Sequence, residues 1–119
     1  MAEALPARVP RAERAVVEGR KLAGWVLAER GHGGDWARAF GLGPEDAGLL
    51  EEALRAHVRD NPPTAVLDNP AAPGARTYRV YGPVELAGQR AFVLSIWEVL
   101  APDAPPRLVT AYPRRRGRR

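Results

Sequence analysis

Residues 91–100, AFVLSIWEVL, constrain this chain more than any other stretch. Phe92, Val93, Leu94, Ile96, Trp97 and Val99 leave no polar alternation, the pattern of a central strand with apolar neighbours on both faces. The following APDAPP cannot continue a ladder, because Pro102, Pro105 and Pro106 have no N–H to donate, so the chain turns there. Residues Arg107 to Tyr112 then return as a neighbouring strand. Upstream, Thr77 to Leu86 reads as a strand with Tyr78, Val80, Val84 and Leu86, and Gly82-Pro83 within it predicts a bulge or an edge position. Ala87-Gly88 is short enough for a two-residue hairpin turn. That turn pairs Leu86 with Gln89 and sets Tyr78 opposite Trp97 and Val80 opposite Ser95, with a one-residue slip if Pro83 carries a bulge.

The first half has a different period. Leu22, Ala23, Val26 and Leu27 form a helical stripe, predicting a helix over about 20–29, with Trp25 beside the stripe and Lys21 before it. Gly31-His32-Gly33-Gly34 breaks it, and Asp35 is placed to cap a short helix carrying Trp36, Ala37, Ala39 and Phe40. Pro44, Glu45 and Asp46 suit the start of a third helix whose buried face is Ala47, Leu50, Ala53, Leu54 and Val58, ended by Asn61-Pro62-Pro63. Residues 14–18 suit either a short strand or a first helical turn, and Thr64 to Leu67 suits an edge strand. Helices followed by a meander predict an α+β domain, its N-terminal helices on one face of an antiparallel sheet of four or five strands. The expected organisation is an extended segment 1–13, a single domain 14–113 and a flexible basic tail 114–119.

Composition narrows the chemistry. There is no cysteine, so neither a disulfide nor a thiolate metal site can form. No His, Asp or Glu spacing suits a metal, and no phosphate-loop or serine-hydrolase motif occurs, so no metal or cofactor is expected. The N-terminus, interrupted by Pro6 and Pro10, does not read as a secretory leader, and no stretch approaches a membrane span; a cytoplasmic protein is the expectation. The net charge of +4 rests on Arg114, Arg115, Arg116, Arg118 and Arg119, which leaves about −1 for the rest. A run of arginines attracts any polyanion through counterion release, and the alternative is a solubilising tail.

The segment YRVYGPVELAGQRAFVLSIWEVLAPDAPPRLVTAYP resembles the C-terminal half of a family of small bacterial domains of unknown function, which carry Tyr-x-Val-x-Gly, Gly-x-Arg-x-x-Val, a Trp, and a closing Pro-Arg-(Leu/Phe)-Val-Thr-Ala-Tyr-Pro. RKLAGWVL and ARAFGLGPEDAGLLEEALRAH resemble the helical half of that family, so the likeness spans about 14–113. The Thr-Ala-Tyr-Pro strand and the order of elements are also similar to the barnase–EndoU–colicin–RelE superfamily of metal-independent ribonuclease toxins. This chain departs from the first family's His-Pro-x-Gly-x-x-Lys-Ala segment, where it has GHGGDWARAF: Trp36 stands at the lysine position, with Arg38 two residues on and His32 only approximately at the histidine.

The resemblance implies a toxin-like fold that acts on RNA. Metal-free RNA cleavage needs a base, an acid, and donors or cations for the phosphorane. The candidates are His32 as acid or base, Thr110 and Tyr112 as donors and Lys21 as the cation. Arg38, Arg79, Arg107, Arg114, Arg115 and Arg116 are the substrate-binding cations, and Trp97 or Tyr78 the stacking partners for a base. Each residue also has a structural alternative: Trp97 and Tyr78 as core, Arg79 and Arg107 as ion-pair partners of Glu98, and His57 as a helix-end residue near the dipole. Two readings follow. One is a metal-independent ribonuclease whose partner is an acidic antitoxin or immunity protein. The other is a non-catalytic interaction or nucleic-acid-binding domain, a degenerate member of the same fold.

Overall fold

A computed structural model describes residues 5–22, 33–69 and 72–114. Most of the helix predicted over 20–29 lies outside the described residues, as do His32, Arg115 and Arg116. A single helical turn, α1 (Gly19–Lys21), is described at its start. Helix α2 spans Gly33–Phe40. It begins three residues earlier than expected, so Asp35 sits inside the first turn instead of capping it, and its carboxylate pairs with Arg38 at 2.7 Å. A 3-10 turn at Pro44–Asp46 leads into α3 (Ala47–Asp60), and the Asp46 carboxylate accepts the Gly43 N–H at 3.0 Å, securing the entry to this helix.

Four antiparallel strands follow in sequence order: β1 (Pro63–Asp68), β2 (Arg76–Leu86), β3 (Gln89–Val99) and β4 (Arg107–Arg114). The β2–β3 register is unbroken from Leu86↔Gln89 to Arg76↔Val99, with Tyr78 opposite Trp97 and Val80 opposite Ser95. Pro83 therefore carries no bulge. It is tolerated because β1 pairs with β2 only as far as Val80, so beyond that point β2 has an open edge. Gly82 has a different cause: a Cβ there would lie 2.5 Å from Asn61 Oδ1, the residue that closes the C-terminus of α3. The hairpin turn holds Ala87 at φ 55 and Gly88 at φ 77, the left-handed pair of a type I′ turn. Alanine is a poor occupant of that conformation, so Ala87→Asn is expected to raise stability by about 1 kcal/mol, seen as a higher melting temperature in thermal denaturation.

Among the described residues no fifth strand forms. Residues 15–18 contribute a single parallel bridge, Val16↔Arg107, in which Val16 N–H donates to Pro106 at 2.8 Å and Leu108 N–H donates to Val16 at 3.0 Å. Nor is the lead-in an extended surface segment from residue 5 onward, since Val9 and Ala12 are buried in the core and Ala12–Arg14 forms a 3-10 turn. At the other end, Arg114 is the last residue of β4, opposite Phe92, and not the start of a tail.

Pleat alternation divides the sheet into two faces. Tyr78, Val80, Val84, Val93, Trp97, Leu108 and Ala111 share one core with Trp36 and Phe40 of α2 and Leu50, Leu54 and Val58 of α3. All of these are fully or almost fully enclosed. The opposite face carries Arg79, Tyr81, Phe92, Leu94, Ile96, Thr110 and Tyr112. Leu94 is buried yet stands outside that core, and no helix among the described residues packs over it. The apolar run of β3 is thus two-sided as written, and the described helices α2 and α3 pack on one of its sides.

Candidate nucleic-acid interface

Register decides which side chains meet on the face opposite the described helices. Tyr81, Leu94 and Tyr112 form one row across β2, β3 and β4, and Arg79, Ile96 and Thr110 form the next. On the other side of the tyrosine row stand Pro83, Phe92 and Arg114. Tyr81 and Phe92 lie diagonally, ring centroids 5.4 Å apart and planes inclined at 31°. Tyr81, Phe92 and Tyr112 are all half-buried, presenting part of each ring to solvent.

This pairing depends on one irregularity. Ile96 faces Thr110 and Trp97 faces Leu108, so Val109 is an extra residue in β4. Strict alternation from the buried Leu108 would turn Thr110 and Tyr112 towards the helices. The bulge reverses their sense and sends Ala111 inward instead. Thr110 Oγ1 is enclosed there without a hydrogen-bond partner, the one such buried polar side-chain atom among the described residues. A hydroxyl left in that state costs about 1–3 kcal/mol.

Charge is arranged around the aromatic rows. Arg79, Arg90 and Arg114 are exposed, and no described carboxylate pairs with any of them. Arg107 is engaged differently from expectation: Glu98 is its cross-strand neighbour, but its guanidinium donates to Glu18 at 2.8 Å, on the segment that bridges the edge of β4. At the hairpin end of the sheet a cleft of about 440 Å³ opens against α2, lined by Asp35, Arg38, Ala39, Arg90, Ala91, Pro113 and Arg114. Arg38 and Arg114 are two of the expected substrate-binding cations, and the fold brings them to one cleft with Arg90, which the sequence reading did not single out.

Trp97 does not take the stacking role. It is fully enclosed, and its Nε1–H donates to Ser95 Oγ at 2.8 Å, so no ring face is open to a base. Tyr78 is buried beside it. Trp36 is likewise enclosed, stacked on Phe40 at 5.6 Å, and donates its Nε1–H to the Ala111 carbonyl at 3.2 Å. The Trp36 indole thus pins α2 to β4.

His57 is the residue whose role was least visible beforehand. It is buried between α3 and the sheet, its Nδ1 2.9 Å from Ser95 Oγ and its Nε2 3.2 Å from the Gly82 carbonyl. Because the Trp97 N–H already donates to Ser95, the serine hydroxyl is directed at Nδ1 and the ring carries its proton on Nε2, donated to Gly82. Burial holds its pKa below the ordinary 6.5, partly opposed by the Gly82 carbonyl. Both nitrogens are engaged, so the ring is a structural tie and supplies no acid or base. Spacing with Leu50, Leu54 and Val58 on one helical stripe was the signal that could have placed it.

Thr110 and Tyr112 do share a face, with Arg79 in the row beside them. The Lys21 side chain and His32, the other members of the expected catalytic set, are outside what the structure describes. Among the described residues no cluster of three or more His, Asp or Glu could hold a metal, and no helix is long and apolar enough to cross a membrane.

With this architecture in view, the family described as a domain of unknown function (DUF6883) matches residues 8–115, almost the whole chain. The chain is a DUF6883 domain. The match begins just before Val9 and ends just after Arg114. It takes in every described element of the DUF6883 fold, including the lead-in turn and all of β4. No curated protein and no solved structure matches the chain.

Proposed function

We propose that this DUF6883 domain binds single-stranded RNA across the sheet face opposite α2 and α3. The observation that carries the reading is that the register gathers Tyr81, Phe92 and Tyr112 on that face together with Arg79 and Arg114. Bases stack on aromatic rings at a cost-effective distance from cations that track the backbone, a combination typical of sheet surfaces that take single strands. The arginine run that follows β4 in the sequence adds positive charge for any polyanion.

A ribonuclease reading builds on the same face. Thr110 and Tyr112 would donate to the scissile phosphate, with Lys21 and His32 supplying the cation and the acid or base. One experiment addresses both. Purified protein is titrated against a labelled RNA of about ten nucleotides in EDTA, followed by anisotropy and then by gel electrophoresis of the recovered RNA. A saturable, salt-sensitive complex with intact RNA is the expected result. Shortened RNA would assign the face to catalysis, with His32→Ala as the check on mechanism. Absence of binding together with a dimer on gel filtration would give the face to a second copy of the chain, and a complex formed only with an acidic protein would give it to an inhibitor-type partner.

A further inference from the structure

The cleft at the hairpin end of the sheet is separate from the aromatic rows, and its composition points to a more specific ligand than a backbone phosphodiester. Three guanidiniums from three elements line it, Arg38 of α2, Arg90 of β3 and Arg114 of β4, against one carboxylate, Asp35. Asp35 is paired with Arg38 at 2.7 Å, so the positive charge of Arg90 and Arg114 is uncompensated by any described carboxylate. A site with two unneutralised guanidiniums matches a dianion better than a monoanion. Arginine forks are shaped to hold two oxygens of one phosphate at a time.

A phosphodiester within a strand carries a single charge and two unesterified oxygens. A terminal phosphomonoester carries close to two charges near neutral pH and three such oxygens. The cleft also stands where the strand would end: Arg114 belongs both to the row of Phe92 and Pro83 and to the cleft lining, so it joins the sheet face to this pocket. We infer that the Arg38–Arg90–Arg114 cleft binds the terminal phosphomonoester of the RNA strand lying on the sheet, so that the domain recognises phosphorylated RNA ends. The inference rests on the RNA-binding reading above and adds the chemical identity of the end that is read.

The test uses the full chain and three oligonucleotides of one sequence, bearing a 5′-phosphate, a 3′-phosphate or hydroxyls at both ends, compared by anisotropy at fixed salt. One phosphorylated end is expected to bind about tenfold more tightly than the hydroxyl form, which also identifies which end is held. Arg90→Gln, at an exposed position that leaves the core intact, should bring the ratio between phosphorylated and hydroxyl RNA to near one. Raising pH from about 5 to 7.5 should increase the preference in the unmutated protein, as the second phosphate proton is lost near pH 6. Equal affinity for all three oligonucleotides would overturn the inference while leaving RNA binding in place. Loss of the preference only on deleting the residues after Arg114 would also overturn it, assigning the effect to the tail. Failure of every oligonucleotide to bind would remove both.

Discussion

Replacing His57 with alanine lowers the stability of the domain by about 3 kcal/mol, read from chemical denaturation. The size follows from the number of groups left behind. The Ser95 hydroxyl loses its acceptor, the Gly82 carbonyl loses its donor, and a ring-sized void opens between α3 and β3. The pH dependence identifies the histidine as the source. Its folded pKa lies below the ordinary 6.5, so on acidification the unfolded chain takes up the proton first. Stability contributed by the neutral ring is complete above pH 6.5 and is lost as pH falls from there towards the folded value, with a slope of at most about 1.4 kcal/mol per pH unit. His57→Asn keeps an acceptor for the Ser95 hydroxyl and removes the titration. Its stability should be lower than that of the unmutated protein at pH 7.5 but should fall less steeply between pH 6.5 and 5. An equal slope in the two proteins would place the acid sensitivity elsewhere.

Removing both Tyr81 and Phe92 as alanines weakens RNA binding about a hundredfold, with circular dichroism and melting temperature close to those of the unmutated domain. Each aromatic ring that stacks a base contributes about 1–3 kcal/mol, and the two rings stand together at 5.4 Å on the face opposite the described helices. This loss should be of similar size at low and at moderate salt, because stacking releases no counterions. Truncation after Arg114 has the opposite signature. It removes Arg115, Arg116, Arg118 and Arg119 and leaves a body of about zero net charge, so affinity should fall at low salt and most of the salt dependence should disappear. If the aromatic variant binds as tightly as the original while the truncation abolishes binding, the sheet face is not the RNA site and the tail alone attracts the polyanion.

The elements that the chain states locally were legible. The turn at Ala87-Gly88 fixes its own register by counting, and β2 and β3 follow it without a slip over eleven residues each. The three prolines after Leu100 forbid a strand, and the stripe of Leu50, Leu54 and Val58 forces α3 onto the sheet. The candidate site was legible only in part. Thr110 and Tyr112 were readable as neighbours on one face of one strand, but not as belonging to the face opposite α2 and α3. Trp97 had the composition of a stacking residue and the environment of a core residue.

By itself, the sequence determined an α+β meander with a central two-sided strand, since hydrophobic period, proline placement and turn chemistry are local properties that one segment carries without its neighbours. The tertiary structure decided which apolar positions the helices would cover, because burial is a relation between segments. A single extra residue at Val109 sends Thr110 and Tyr112 to the face opposite the described helices and draws Ala111 under the Trp36 indole. It likewise brought Arg38, Arg90 and Arg114 to one cleft from three elements distant in the chain, an encounter that no local pattern encodes.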